Sequence, residues 1–129
     1  MKKTILLLYV LLTTHGAFTQ TPDLDTLIPR IAAEKNDSTR FYLALSGLTV
    51  SETNPVLDMN NAERILIHAQ KNNDVVCEVL GLGCLGYDYR AFGNTAKSLE
   101  YNLKTNAVAE RSKDPRLLSL GKLLLSMSY

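Results

Sequence analysis

The sequence predicts an all-α fold, an α-solenoid of helix hairpins, on three observations. First, apolar runs of helix length (Phe41 to Val50, Val75 to Tyr89, Leu117 to Tyr129) alternate with more polar helical runs (Asp58 to Lys71, Asn94 to Arg111). Second, each apolar run follows a polar break that caps a helix start: Lys35-Asn36-Asp37-Ser38, Asn72-Asn73-Asp74 and Lys113-Asp114-Pro115. The aspartates of these breaks are spaced 74 − 37 = 37 and 114 − 74 = 40 residues apart, a period that two helices fill. Third, no alternation of strand type and no Asn-Gly hairpin turn competes with the helices.

Taken in order, the chain starts outside the fold. Lys2 and Lys3, the apolar run Ile5 to Leu12 and the small and polar stretch Thr13 to Thr19 have the layout of a secretory signal peptide, residues 1–19, with cleavage near Thr19. The apolar run is short of the roughly 20 residues that span a bilayer. The mature chain is expected to be exported, periplasmic or extracellular, with no membrane span. A leading helix is expected within residues 20–36. Leu24, Leu27, Ile28 and Ile31 stand at helical spacing there, and Pro29 within it predicts a kink or a shorter helix. Residues 37–129 form the repeat region, with copies starting near 37, 74 and 114. Asn54-Pro55 and Gly93-Asn94 mark the starts of the two polar helices.

The register of the copies can be checked. Superposing Asp74 on Asp114 also places Leu80 on Leu120, Gly81 on Gly121, Leu85 on Leu125 and Tyr89 on Tyr129. Gly86 in a helix costs about 1 kcal/mol against alanine, which makes sense where a neighbouring helix approaches closely. Leu82, Leu85 and Tyr89 share a helical face and can fill the space between paired helices.

These residues resemble the tetratricopeptide-repeat (TPR) family. Leu82-x-x-Leu85-Gly86-x-x-Tyr89 matches the signature of its first helix with leucine for the leading tryptophan, and Gly93 stands at the interhelix turn. Ala62, Leu66 and Ala69 match the small–large–small spacing of its second helix, while Ser98, Asn102 and Thr105 depart from it. The last copy supplies Leu125 and Tyr129, with Ser126 in place of glycine, and the first copy has Glu52 in place of the aromatic. The resemblance implies about two and a half repeats, the last incomplete. It also implies a groove lined by the first helix of each pair, which in the best copy means Leu80, Gly83, Tyr87 and Arg90. Arg90 and Tyr87 could grip a peptide backbone or carboxylate there.

Composition narrows the function classes. The formal charge of +1 comes without a basic cluster, so nucleic acid is not an expected partner. Removing Lys2 and Lys3 leaves about −1. Cys77 and Cys84 lie seven apart, about 10.5 Å along one helix, beyond the reach of about 7 Å that a disulfide needs between Cα atoms. They are expected to stay unpaired, as small core residues. His68 is the one histidine of the mature chain and has Arg64 and Asn72 at the positions where a helical metal site would hold partners. No serine sits in a nucleophile elbow. Glu63 and Glu100 are expected to be solvated, and Asp88 and Arg90 to form a surface charge pair. No catalytic residue, metal or cofactor is expected, and the chain is not expected to be an enzyme.

One motif pulls the other way. Gly81-x-Gly83-x-x-Gly86 is a literal G-x-G-x-x-G, and a dinucleotide-binding enzyme is the remote alternative; it requires a strand before the glycines and a helix opening on them. The expected function is instead a non-enzymatic scaffold that binds a protein or peptide. The alternative is a truncated N-terminal sensor region of a signal-transduction protein, a histidine kinase or transcription regulator. The very apolar last helix, Leu117 to Tyr129, predicts either truncation, the preferred reading, or docking on a partner or a second copy of the chain.

Overall fold

A computed structural model of the chain describes residues 23–48 and 54–129. The expected signal peptide, the start of the leading helix and Glu52 lie outside the described residues. The described residues form six helices and no strand: α1 (Leu24–Ala33), α2 (Asp37–Gly47), α3 (Pro55–Asn72), α4 (Val75–Ala91), α5 (Thr95–Ser112) and α6 (Pro115–Ser126). The fold is all-α. None of these helices is long and apolar enough to cross a membrane.

Every helix starts where a short polar side chain can accept a backbone N–H that the helix itself leaves free. Asp23, Asn36, Asn54, Asp74, Asn94 and Asp114 each accept from a residue of the first turn. Proline opens α3 and α6, where its missing N–H costs nothing. Left-handed residues end three of the helices: Asn73 (φ 54°), Gly93 (φ 76°) and Lys113 (φ 58°). Only glycine takes that conformation without strain, and Gly93 has open space where a side chain would stand.

Helix α4 is the centre. It packs on α3 and α5, its chain neighbours, and also on α2 and α6. Val79, Leu80, Leu82 and Leu85 are buried there, with Ile65 from α3, Val108 from α5 and Leu117 from α6. Helix α1 lies within the expected residues 20–36 and carries Pro29 inside it. It lays Leu24, Leu27 and Ile31, all buried, against α2, and it also touches α3. Gly47 of α2 makes room for this: a Cβ there would stand 2.5 Å from Leu27 Cδ2 and 3.0 Å from Leu24 Cδ2. Asp25 of α1 and Arg64 of α3 form an ion pair across the same junction.

The glycine motif is not a turn between a strand and a helix. All three of its glycines lie inside α4, which is helical from Val75 to Ala91. Each serves a close approach. A Cβ on Gly81 would lie 3.1 Å from Leu66 Cβ and 3.2 Å from the Ala62 carbonyl oxygen, both on α3. One on Gly83 would lie 2.7 Å from Leu124 Cδ1 of α6, and one on Gly86 would collide with the Asn102 amide of α5. Forty residues after Gly81, Gly121 does the same on α6. A Cβ there would lie 3.1 Å from Asn106 Cα and 3.1 Å from Ala109 Cβ of α5. Leu66 and Asn106 are themselves forty residues apart, so the contact recurs with the sequence offset.

Candidate functional site: an apolar groove across three helices

Alternate helices present their apolar sides to one groove. Phe41 and Leu45 come from α2, Leu80, Gly83, Cys84 and Tyr87 from α4, and Leu120 and Leu124 from α6. The residues form pairs four apart (41 and 45, 80 and 84, 120 and 124), the spacing that puts two side chains on one helical face. The space is about 290 Å³, and its lining is wholly apolar. Gly83 sits at the floor between α4 and α6, where any side chain would meet Leu124. Leu45 and Tyr87 are each 41% exposed and form the accessible edge.

Of the four residues that the resemblance marks for a groove, Leu80, Gly83 and Tyr87 line this one. Arg90 stands apart. Its Nη1 donates to the Met127 carbonyl at the end of α6, beside a separate pocket formed with Thr95, Ser98, Met127, Ser128 and Tyr129. The packing residues also divide. Ala62, Ala69, Leu82 and Leu85 are buried in the core, Leu66 is packed against it, and Gly86 is buried. Tyr89 stacks on Tyr101 with ring centroids 5.3 Å apart. Leu125 is half-buried. Tyr129, its register partner Tyr89 notwithstanding, is 91% exposed and takes no part in the core.

The positions on α5 that depart from the small–large–small pattern are buried all the same: Ser98, Asn102 and Thr105. Thr105 returns its hydroxyl to the Tyr101 carbonyl. Asn102 Nδ2 donates to the Leu124 carbonyl at 3.1 Å and to Ser128 Oγ at 2.7 Å, tying α5 to the end of α6. A buried amide at the position of a leucine is legible only once its carbonyl partner is known, because unpaired it would be costly.

The expectation of a surface charge pair for Asp88 is overturned. Asp88 is 4% exposed and its Oδ2 has no hydrogen-bond partner. Asp58, at the start of α3, is buried too. Burial first, and the Asp58 charge second, push the Asp88 carboxyl up to about 6. The position lies two helical turns beyond Gly81, which meets Leu66 and Ala62 of α3, so the α4 face that reads as solvated in sequence turns towards α3.

Both cysteines are free thiols, as their spacing required. Cys77 is a core residue, pushed up by burial and then by Asp74. Cys84 departs from the core reading, because it is half-buried and lines the groove. Burial, then Asp88, then Asp58, push its thiol up to about 12. A thiol so held carries almost no thiolate at neutral pH. His68 hydrogen-bonds with Asn72 on its own helix, and Glu100 pairs with Lys104. Among the described residues no cluster of three or more His, Cys, Asp or Glu side chains is arranged to hold a metal ion.

The fold and groove define an all-helical protein with a ligand-sized apolar cleft across alternate helices. Comparison of the chain with protein-family models, with curated proteins and with solved structures returned no match.

Proposed function

We propose that the chain is an exported, TPR-like helix-hairpin scaffold that binds a protein or peptide in the groove of α2, α4 and α6. The carrying observation is that this groove is built from paired apolar residues on three alternate helices and lacks any polar lining. The recurrence of the Gly81 contact at Gly121 supports a repeated hairpin.

The lining also limits what can enter. An extended peptide brings backbone N–H and C=O groups that need partners, and each one buried without a partner is costly. A helix satisfies its own backbone, so an amphipathic helix laying its apolar face into the groove is the fitting occupant.

The reading is tested by selecting peptides from a random library against the purified protein. Enriched sequences should carry apolar residues at i, i+3 or i+4, and i+7. Leu45→Lys and Tyr87→Ala, both at the exposed edge, should weaken the selected peptides about tenfold or more while the helical circular dichroism spectrum stays unchanged. Binding indifferent to both substitutions would place the ligand elsewhere.

A further inference from the structure

The apolar stripes that line the groove give way to polar residues at the same place on two of its helices. On α2, Ser38 stands three residues before Phe41; on α6, Arg116 stands four before Leu120. Those spacings keep each residue on the face that its helix turns to the groove. The two meet there, because Arg116 Nη1 donates to Ser38 Oγ at 2.6 Å. Helices α2 and α6 each pack on α4, and this hydrogen bond joins them directly to each other.

The guanidinium is held from behind. Asp114, the cap of α6, accepts from Arg116 Nε at 3.2 Å and from Nη2 at 2.8 Å. Three of the five N–H donors of Arg116 are therefore engaged, and two remain. The side chain is 48% exposed and Ser38 is exposed, so the bridge is open to an approaching ligand. The other charges of this end are taken up among themselves: Arg40 pairs with Asp37 and with Asp74.

A ligand helix whose apolar face follows the groove runs out of apolar lining one turn past Phe41 and Leu120. There it meets a guanidinium with unused donors. An apolar side chain at that point would strip water from the charge and return nothing. A carboxylate would accept the unused donors in charge-assisted hydrogen bonds.

We infer that Arg116 sets the charge of the partner: the groove prefers an amphipathic helix with an acidic residue one turn beyond its apolar anchors. The inference rests on the groove reading above and adds a sequence preference to it. An exposed pair adds little affinity, so Arg116 acts on the choice between ligands more than on the strength of binding.

The test uses three synthetic peptides of about 15 residues, long enough to hold a helix. Each carries leucines at i, i+4 and i+7 on an alanine and glutamine background. One has Glu a turn before the leucines, one has Glu a turn after them, and the parent has Gln at both places. Two Glu peptides are needed because a helix can enter the groove in either direction. Affinities are measured by isothermal titration against the wild-type protein and Arg116→Gln. One Glu peptide should bind the wild type about two- to fivefold tighter than the parent, the range of an exposed ion pair. Arg116→Gln should erase that advantage, and sodium chloride should erode it in the wild type. Glutamate also alters the peptide's own helix, so the comparison between the two proteins decides. Lys122→Gln, on the side of α6 away from Leu120 and Leu124, should leave the advantage intact. Should Arg116→Gln disturb the start of α6, the salt dependence in the wild type carries the test. Equal affinity of all three peptides for the wild type, or a Glu advantage that survives Arg116→Gln or is indifferent to salt, would overturn the inference. If the peptides nonetheless weaken together in Tyr87→Ala, the groove reading stands without it; binding of none would sink both.

Discussion

Gly86 of α4 and Asn102 of α5 meet so closely that a single methyl group on the glycine would collide with the asparagine amide. That amide is not free to swing away, because it donates both to Leu124 and to Ser128. Gly86→Ala would gain about 1 kcal/mol of helix propensity but force the amide off its partners. Overpacking outweighs that gain, so the expected net effect is destabilisation by about 1–3 kcal/mol in urea denaturation. Gly83→Ala is the contrast, since its close contact is with the flexible end of Leu124, and Thr105 Cγ2 stands at an ordinary 3.7 Å. It should cost little stability and should narrow the groove. Equal stability loss in both proteins would show that the Asn102 amide is not the obstacle.

Removing the amide instead of crowding it gives a second prediction. Asn102→Ala leaves the Leu124 carbonyl and Ser128 without their shared donor, and should destabilise by about 1–3 kcal/mol. Hydrogen exchange should rise first at the end of α6, which this side chain anchors. A uniform rise across all six helices would speak against a local tie.

The buried carboxyl of Asp88 makes stability depend on pH in an unusual direction. Its folded value, about 6, lies above the ordinary 3.8. Between those values the folded chain holds the proton more tightly than the unfolded chain does. The contribution is therefore complete below about pH 3.8 and is lost as pH rises through about 6. Over that span the loss is at most about 3 kcal/mol. Asp88→Asn should flatten the dependence of the urea midpoint between pH 4 and 7. Parallel curves for the two proteins would mean that the buried carboxyl carries no linked proton.

The thiols give a fourth. Because burial and nearby carboxylates suppress ionisation, Cys84 should react with iodoacetamide at pH 8 orders of magnitude more slowly than a free cysteine. Denaturant should restore the ordinary rate. Asp88→Asn, removing the second cause, should speed the folded reaction. Rapid alkylation of Cys84 in the native protein would contradict the burial that sets its ionisation.

Much of this arrangement can be seen in the residues themselves. The polar breaks at Asn36, Asp74 and Asp114 mark helix starts because short polar side chains cap helices whatever the surroundings. The Gly81 and Gly121 pairing survives because both answer one local demand, room for a neighbouring backbone. What depends on the neighbour's identity is hidden. Asp88 looks solvated in sequence, since nothing local says that α3 covers it. Asn102 looks like a misfit until the Leu124 carbonyl comes into view. Arg90 follows the groove residues in register, yet it lies at the last turn of α4, where the end of α6 offers it a carbonyl instead.

The groove residues arrive as rungs, one pair from each helix: Phe41 and Leu45 from α2, Leu80 and Cys84 from α4, Leu120 and Leu124 from α6. Width is thus a count of helices and depth a matter of single side chains. A change of preference between ligands needs no rebuilt loop: trading one rung member for a larger or smaller neighbour reshapes the slot, while the caps and glycines that hold the helices stay as they are.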